Sequence, residues 1–482
     1  MTFGLTTDPP RPAGPQGSPL TGCLREYRTD LLSFVTKCAR RYGDFVPVRV
    51  ASHRGYLISD PALVGDVLNE RTGDYRKVFM LRNNRLFLGD GLLTSDGEDW
   101  RNKRTEARPI FKASSLKEYA PIMTQEAERM GEIWAAGGTR DVQNDMMDVA
   151  LRVIVRCLFG GDADIDVARA TKDINIIQSR MNKRVRSLVP LPDTAPTPFN
   201  IGLRLAVHDL NKMIYGWAKN APDADLPVRS SNASATISDP RDIGNFRDRA
   251  MTMMFAGHET TALALSWSWH LLAQNTEAYA RMHNEIDTVL GDHPPTFDDL
   301  PRLRVVRQVI RESLRLFPPI YAFGRDAVRD TSVGGQRIPA GQSAMIAPWV
   351  IHRDPRWFPQ PDEFHPERWS EEFERNLPKF AYLPFGGGPR ACIGKHFAMN
   401  EAILVLSALA RRYQPQPASE DPIELWPTFS LRARNGIPMD VVRRPVHAPT
   451  ISQGCTAGTR KAARTTPDDV ITSRGVCRHS ST

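Results

Sequence analysis

One cysteine, Cys392, lies in a glycine-rich turn within residues 385–398. Residues 386–388 are all glycine and Gly394 follows the cysteine, so the backbone can adopt torsions closed to other residues and can lie against a bulky planar group. A periodic apolar run from Phe397 onward predicts a helix that begins almost at the cysteine. The helix dipole, the free loop amides and Arg390 all favour a thiolate, which is the metal-binding form of cysteine.

Three chemical interpretations of this cysteine compete. An isolated cysteine is most often a small, buried and inert side chain. Zinc requires several clustered ligands, and no second cysteine lies close by in the sequence. A single thiolate in a wide, flat, glycine-lined loop suits a metal whose other ligands come from a macrocycle, which means haem.

A second candidate site lies in the middle of the longest predicted helix, residues 243–273. Its central part is apolar on nearly every face, which predicts a position in the core. His258, Glu259, Thr260 and Thr261 nevertheless occupy its centre. A carboxylate in a buried helix is costly unless it is paired or used, so this group either faces a satisfied polar crevice or handles protons.

Two side-chain pairs are weak signals by themselves. Glu312 and Arg315 are three residues apart on a predicted helix and would meet on one face, but exposed pairs of this kind contribute only about 0.3 kcal/mol. Trp100 and Arg104 are four apart on a basic helix, which a solvated surface would explain equally well. Neither pair identifies a function without its context.

The pattern from Phe385 to Gly394, Phe-x-x-Gly-x-Arg-x-Cys-x-Gly, resembles the haem-binding loop of the cytochrome P-450 superfamily. The resemblance covers residues 24–444, with four motifs in the family's order, and favours the soluble bacterial type. It implies a mainly α fold with small β-sheets, in which a long central helix lies over haem b and the cysteine belongs to a proximal loop. His352 also fits a family segment and is the most suitable histidine ligand, but Cys392 already fills that role. The cofactor-binding residues it implies are Cys392, Arg390, Phe385, Gly388, Gly394, Arg325, Trp100 and Arg104, with Cys392 as the metal ligand.

The same resemblance assigns roles to the other motifs. Ala256 to Thr261 is similar to the family's oxygen-activating segment, where Gly257 leaves room at the haem, Thr260 donates a hydrogen bond to bound dioxygen and Glu259 feeds protons through water. Glu312 and Arg315 would pair with Arg368 in a buried structural network. The substrate-pocket residues it implies are Phe79, Phe87, Met251, Phe255, Ala256, Ile320, Phe323 and Phe429.

The function implied is that of a haem-thiolate monooxygenase. It would insert one oxygen atom from O2 into an apolar organic substrate, by hydroxylation or epoxidation, and a lipid or a terpenoid-like natural product is compatible with the pocket. No flavin or iron–sulfur pattern is present, so electrons would come from a ferredoxin or flavodoxin with its reductase. Arg390, Lys395, Arg411 and Arg412 would form a docking face for that donor or an ordinary solvated surface. A peroxide-dependent or non-redox haem enzyme of the same fold and a non-catalytic haem sensor are the alternatives.

Composition limits the class of protein and its cellular compartment further. The chain has 482 residues, of which 41% are hydrophobic and 24% charged, with a net charge of +8, so it can build a large core and a nucleic-acid partner is not implied. Six scattered cysteines favour a reducing compartment, and we expect a cytoplasmic protein. The N-terminus carries no run of membrane-spanning length and no signal-peptide core, which predicts no membrane anchor.

We expect three segments along the chain. Residues 1–20 are rich in proline and predict a disordered lead-in, residues 21–444 predict a single catalytic domain, and residues 445–482 predict a disordered tail. Within the domain, residues 24–42 predict one helix and residues 71–93 a long, partly ordered loop. Residues 427–438 predict a hairpin whose tip, with Phe429 and Leu431, folds over the pocket by the family resemblance.

Overall fold

A computed structural model describes residues 12–69, 73–82, 84–160, 166–185, 195, 197–220 and 240–444. These residues belong to one compact unit that ends at Arg444. The predicted tail, the first eleven residues, the proline-rich segment 186–194 and the connector 221–239 lie outside the described residues. No helix of the described residues is long and apolar enough to cross a bilayer.

Helices form most of the described chain and surround the longest of them, α11, whose centre packs against α8, α10, α13 and α16. The sixteen α-helices of the described residues are α1 (Leu24–Thr29), α2 (Leu31–Tyr42), α3 (Pro61–Leu68), α4 (Phe79–Arg82), α5 (Arg85–Leu88), α6 (Gly97–Ala107), α7 (Ala113–Trp134), α8 (Val142–Phe159), α9 (Val167–Val185), α10 (Pro198–Asn220), α11 (Pro240–Ala273), α12 (Thr276–Leu290), α13 (Arg304–Leu316), α14 (Pro348–Ile351), α15 (Glu371–Asn376) and α16 (Lys395–Ala410).

Four small sheets flank the helices. The largest has the strand order β1-β2-β8-β5-β3, with β2 and β8 parallel and the other pairs antiparallel. The other sheets are β10-β11, β4-β12-β9 and β6-β7. The strands of the described residues are β1 (Phe45–Val50), β2 (His53–Ile58), β3 (Tyr75–Lys77), β4 (Thr139–Asp141), β5 (Phe323–Ala327), β6 (Thr331–Val333), β7 (Gln336–Ile338), β8 (Ser343–Ile346), β9 (Gln416–Pro417), β10 (Leu425–Pro427), β11 (Leu431–Ala433) and β12 (Pro438–Asp440).

A local sequence signal explains where α3 begins. Asp60 caps α3, because its carboxylate accepts hydrogen bonds from the Ala62 and Leu63 amides at 2.8 and 3.2 Å, and Pro61 takes the first helical position. The core side of α11 includes Trp267 and Trp269, both fully buried. The apolar pattern of this helix therefore predicts its central position correctly.

Three local predictions are wrong. Residues 24–42 form two helices, because Asp30 adopts an extended φ of −152° and caps α2 through the Ser33 amide. Residues 71–93 contain β3, α4 and α5 rather than a continuous loop. The hairpin spans residues 425–433, so Leu431 belongs to a strand and only Phe429 lies in the turn.

Part of the predicted disordered lead-in has defined contacts. Arg49 donates hydrogen bonds to the carbonyl oxygens of Ser18 and Pro19 at 2.6 and 2.8 Å, and Gly22 pairs with both Ser18 and Val50. Arg49 on β1 thus connects residues 18–20 of the predicted lead-in to the largest sheet.

Candidate active site

The cysteine loop is held by close backbone packing against α3. Gly388 has a φ of +67°, and a Cβ atom there would lie 1.9 Å from the Leu68 carbonyl oxygen. A Cβ atom on Gly387 would lie 2.5 Å from the Phe380 ring. These two glycines therefore permit close approach to other protein atoms, which is a reason for glycine that the sequence analysis did not foresee. The Cys392 amide donates to the Phe385 carbonyl at 2.9 Å and closes the loop.

Cys392 is exposed, and α16 begins three residues later, as predicted. Desolvation by the surrounding protein raises the pKa of its thiol, while the Gly394 amide and Arg104 lower it. The prediction that Arg390 favours the thiolate is not supported, because Arg390 forms a salt bridge with Asp96 at 3.1 Å. The protein alone therefore disfavours the thiolate, and a bound metal ion would supply the missing stabilisation.

On α11, the residues predicted to handle oxygen interrupt a buried surface. Phe255 and Thr261 are buried, whereas Ala256 is exposed and Thr260 is partly exposed. The Thr260 hydroxyl donates to the Ala256 carbonyl at 2.8 Å. The small side chains in this stretch thus expose one short section of a helix that is otherwise core.

Cations surround the indole of Trp100. The centres of charge of Lys77, Arg104 and Arg390 lie 5.9, 5.6 and 5.6 Å from its ring, and Arg325 is the strand partner of Lys77. Buried Arg390 Nη1 has no hydrogen-bond partner among the described residues. Four cations and one unsatisfied guanidinium nitrogen fit a group with two carboxylates, as the haem prediction requires.

Lys77 belongs to this group of cations, although the sequence analysis did not predict it. It is 6% exposed, and its Nζ donates to the carbonyl oxygens of Leu92 and Ser95 at 2.6 and 2.5 Å. Burial, assisted by Arg390 and Arg325, lowers its pKa to about 7 despite the opposing effect of Asp96. The only signal in the sequence was a lysine at an inward position of a three-residue strand, which is too short to reveal its period.

Glu259 is 2% exposed and its carboxylate is fully engaged by other side chains. It accepts a 2.6 Å hydrogen bond from the Ser430 hydroxyl, and further hydrogen bonds from Gln178 Nε2 and Arg432 Nε. We call Glu259, Gln178, Ser430 and Arg432 the Glu259 network. Glu259 and Thr260 are adjacent on α11, but their side chains bond to different partners.

Some of the predicted pocket residues form an aromatic cluster. The Phe255 ring lies 5.0 Å from Phe87 and 5.4 Å from Phe429, between centroids, and Met251 is fully buried one turn earlier on α11. Ile320 is next to Pro319, whose carbonyl accepts from the Leu431 amide at 2.9 Å.

Two predicted pocket residues have contacts elsewhere. Phe79 stacks on His53 with centroids 4.2 Å apart, and Phe323 packs within the core of the largest sheet. Neither ring makes a ring contact with the aromatic cluster among the described residues.

Glu312, Arg315 and Arg368 come together as a buried network, which we call the Glu312 network. Arg315 binds both Glu312 oxygens at 2.8 and 3.0 Å, Arg368 adds a bond at 2.9 Å, and the Trp369 indole N–H adds one at 3.0 Å. Arg315 also donates to the carbonyl oxygens of residues 352, 361 and 363 at 2.5–2.8 Å. The network therefore ties α13 to the irregular chain that leads to the cysteine loop.

His352 serves this framework rather than a metal. It is fully buried, and its Nε2 accepts a hydrogen bond from the Leu383 amide at 3.0 Å. Burial and nearby Arg315 lower its pKa to about 3, which keeps the ring neutral. No group of three or more potential metal-ligating side chains occurs in the described part of the chain.

Most of the proposed docking cations have acidic partners. Arg411 and Arg412 both bind Glu128, at 3.2 and 2.8 Å, and Arg390 binds Asp96. Lys395 is exposed at the start of α16. Lys395 is thus the residue of this set best placed to meet an acidic partner.

Comparison with known proteins identifies the chain's relatives. The family described as Cytochrome P-450 matches residues 12–437. Cyclooctatin synthase from Streptomyces melanosporofaciens is 35% identical over 433 residues, which cover 87% of this chain and 93% of that protein. Cyclooctat-9-en-7-ol 5-monooxygenase from the same organism is 33% identical, with 78% and 83% covered. Pentalenene oxygenase from Streptomyces avermitilis is 29% identical, with 83% and 90% covered.

A solved structure confirms the predicted fold. The cytochrome P-450DA haem domain matches with a TM-score of 0.80 at 24% identity, covering 90% of this chain and 97% of that chain. A mainly α architecture with small sheets around a long central helix is thus common to both.

Proposed function

The chain belongs to the cytochrome P-450 family, and from that premise we propose that it oxidises a terpenoid and that Thr260 and Glu259 handle its protons. It is a monooxygenase that binds haem b. When bound, the haem supplies the activation of O2 that amino-acid side chains cannot provide.

In this proposal the cofactor is held from two sides. Cys392 would supply the thiolate ligand from the cysteine loop. Lys77, Arg104, Arg325 and Arg390 would bind the two haem carboxylates, and the unsatisfied Arg390 Nη1 is the observation that supports their role. Because Lys77 is buried and its pKa is lowered to about 7, a nearby carboxylate would restore its charge.

Thr260 and Glu259 divide the proton handling. The Thr260 hydroxyl already acts as a donor, to the Ala256 carbonyl, and lies on the exposed section of α11. It could turn to donate a hydrogen bond into the substrate site, and Glu259 would pass a proton from solvent to the Thr260 hydroxyl. This rotation breaks the hydrogen bond from the Thr260 hydroxyl to the carbonyl oxygen four residues earlier in the helix, which is a weak bond.

The aromatic cluster of Phe87, Phe255 and Phe429 carries the substrate proposal. The three rings and neighbouring Met251 are apolar, which suits a substrate with a hydrocarbon skeleton. The relatives named cyclooctatin synthase, cyclooctat-9-en-7-ol 5-monooxygenase and pentalenene oxygenase support a terpenoid. The proposed substrate is therefore a cyclic terpene or terpene alcohol.

A spectral and isotopic test addresses this proposal. The purified haem-loaded protein is titrated with a cyclic diterpene alcohol, a cyclic sesquiterpene, a steroid and a linear fatty acid. We expect a substrate-type shift of the haem spectrum with a cyclic terpenoid, and a product that carries one atom from isotopically labelled O2. A shift and a labelled product with the fatty acid alone would refute the terpenoid assignment.

The electron donor is proposed to be a ferredoxin or flavodoxin with its reductase. Such donors are acidic, and exposed Lys395 lies at the start of α16, just after the cysteine loop. We expect Lys395→Glu to slow electron transfer and to weaken its dependence on ionic strength, whereas Arg412→Glu, whose arginine already pairs with Glu128, changes it less.

A cytoplasmic location remains a prediction from cysteine chemistry. Cys23, Cys38, Cys157 and Cys392 are all free thiols. Free thiols of this kind are typical of a reducing compartment. Fractionation of cells that produce the full chain would test the prediction.

A further inference from the structure

A carboxylate on α11 fixes the turn that follows Phe87. Asp248 lies in the first half of α11, and its Oδ2 accepts a hydrogen bond from the Asp90 amide at 2.7 Å, although the two residues are 158 positions apart. Gly89 has a φ of +58°, and a Cβ atom there would overlap the Asp248 carboxylate. Glycine at residue 89 therefore lets the turn lie directly against α11.

The other oxygen of Asp248 is bound from its own helix. Arg247 Nη1 donates to Asp248 Oδ1 at 2.9 Å, and Arg247 Nε donates to Asn211 Oδ1 on α10 at 2.6 Å. The side chains of Arg247 and Asp248 are 9% and 20% exposed, so the pair is largely buried. Each carboxylate oxygen thus has a donor, and one chain of hydrogen bonds joins α10, α11 and the turn at Asp90.

The turn connects Asp90 closely to Phe87. The Gly89 amide donates to the Arg85 carbonyl at 2.8 Å and ends α5, the helix that contains Phe87. The Thr94 hydroxyl donates to the Gly89 carbonyl at 2.8 Å and closes the turn from its other side. Two residues separate Phe87 from Asp90, so the position of the Asp90 amide constrains the position of the ring.

Asp248 and Phe255 lie on the same face of α11, because seven residues correspond to about two helical turns. The Phe87 ring packs edge-on against Phe255, with centroids 5.0 Å apart, and Phe87 is 2% exposed. This face of α11 therefore binds α5 and its turn at two points, through the ring of Phe255 and through the carboxylate of Asp248.

We propose that Asp248 is a positioning residue that holds the Phe87 ring in the substrate pocket and so limits the size of the ligand that the pocket accepts. It acts through the Asp90 amide rather than by contact with the reacting atoms. Arg247 orients the carboxylate for this bond. The inference rests on the proposed placement of the pocket at the aromatic cluster, but it does not depend on the substrate being a terpenoid.

Thermodynamic linkage gives the proposal a measurable sign. A bulky ligand that displaces Phe87 must also break the hydrogen bond between Asp248 and the Asp90 amide, so removal of that bond makes the ligand bind more tightly. A ligand small enough to leave Phe87 in place is indifferent to Asp248. If Asp248 served stability alone, its removal would weaken the binding of both ligands or change neither.

The test uses the haem-loaded protein and two iron-coordinating probes, imidazole as the small ligand and clotrimazole as the bulky one. Affinities are measured by spectral titration for the unmodified chain, Asp248→Ala and the control Glu106→Ala. Glu106 on α6 pairs with Arg249, the residue after Asp248, so the control removes a neighbouring carboxylate outside the turn. We expect Asp248→Ala to bind clotrimazole about fivefold more tightly, with imidazole binding unchanged and no change for either probe in Glu106→Ala.

Two further variants keep the test decisive if Asp248→Ala folds poorly around Arg247. Asp248→Asn keeps the shape of the side chain but places an amide group against one of the two donors, and it should also tighten clotrimazole binding. Phe87→Ala removes the ring itself and should tighten clotrimazole binding as well. Adding Asp248→Ala to Phe87→Ala should give no further gain, because Asp248 acts through Phe87.

The outcomes separate the role of Asp248 from the placement of the pocket. Tighter clotrimazole binding in Phe87→Ala, without it in Asp248→Ala and Asp248→Asn, would overturn the role of Asp248 alone. Equal tightening in Glu106→Ala, or a further gain in the double variant, would overturn that role too. Unchanged clotrimazole binding in Phe87→Ala would overturn it together with the pocket at the aromatic cluster.

Discussion

Two buried glutamates of this protein are each held by arginine, and their surroundings differ in one important way. Glu312 is bound by Arg315 from its own helix and by Arg368 from the following chain, and Arg315 is further bound to three backbone carbonyl oxygens. Glu259 is bound by Arg432 from the hairpin and by Gln178 from α9, and Arg432 also donates to Gln178 and Asn175.

The difference separates an ion network centred on one pair within a helix from one whose members all come from different elements. Glu312 and Arg315 are three residues apart on α13, and Arg315 also donates to three backbone carbonyl oxygens, so the surrounding chain fixes its geometry. The Glu259 network joins three distant elements, one of which carries a ring of the aromatic cluster. The same pair of residue types therefore stabilises the chain around one helix in one place and connects distant elements in the other.

The largest effect is expected from removing the Cys392 thiolate. Cys392→His should abolish monooxygenase turnover and the thiolate-type absorption of the reduced carbon monoxide complex, because imidazole donates less charge to the iron. Difference spectra of the reduced protein with carbon monoxide would measure this. A thiolate-type spectrum in the variant would exclude Cys392 as the ligand.

The Glu312 network can be broken next. Glu312→Ala leaves buried Arg315 without its counter-charge and should lower the free energy of unfolding by about 3–5 kcal/mol, or prevent haem retention. Denaturant unfolding monitored by the haem absorption provides the measurement. The matched control is Glu277→Gln, which removes an exposed pair with Arg281 and should cost less than about 0.5 kcal/mol.

Next to Glu259, Thr260→Ala should change the reaction without changing the free energy of unfolding. Among the described residues the lost hydroxyl bonds to the Ala256 carbonyl of its own helix alone, so haem and substrate binding should persist. Reducing equivalents should instead be diverted to hydrogen peroxide, because the proton relay is interrupted. Product formed per reductant consumed, measured beside peroxide release, would show this. A coupling ratio equal to that of the unmodified chain would remove Thr260 from the mechanism.

The smallest effects concern two buried histidines, His352 beside the Glu312 network and His258 next to Glu259. His352 accepts from the Leu383 amide, whereas neither ring nitrogen of His258 has a hydrogen-bond partner among the described residues. His352→Leu should therefore cost about 1–3 kcal/mol at neutral pH by leaving a buried amide unpaired, and His258→Leu should cost less. Urea unfolding at pH 7.5 would compare the two variants, and an equal loss of stability would contradict the difference predicted between the two histidines.

Acid sensitivity provides a second measurement on the same variants. Burial lowers the pKa of both histidines from 6.5 to about 3, so between these values the unfolded chain binds protons that the folded chain does not. The contribution of these two histidines to stability is thus fully present above pH 6.5. It falls as the pH drops toward 3, by at most about 1.4 kcal/mol per pH unit for each histidine. Either variant should flatten this loss relative to the unmodified chain.

The sequence predicts best those features that depend on short spacing. The cysteine loop, the start of α16, the Asp60 cap and the Glu312–Arg315 pair all depend on residues within a few positions of each other. Each therefore leaves a local pattern that can be recognised without knowledge of the fold.

The missed features depend on residues that meet only in the folded chain. Glu259 was recognised as a buried carboxylate, but its partner Arg432 is 173 residues away. Lys77 reaches the cations around Trp100 from a three-residue strand, and Gly388 is required by the Leu68 carbonyl on α3. Tertiary packing decides all three, and no periodicity in the sequence records it.

The order of strands in the largest sheet has a consequence for biosynthesis. β1, β2 and β3 come from the first part of the chain, but β2 pairs in parallel with β8, and β3 pairs with β5. On the ribosome β2 therefore keeps one open edge until β8 has been made, and β3 stays unpaired until β5 has been made. Cys392 is made later still. A chain that stalls before β5 and β8 would present unpaired strand edges to chaperones before the cysteine loop exists.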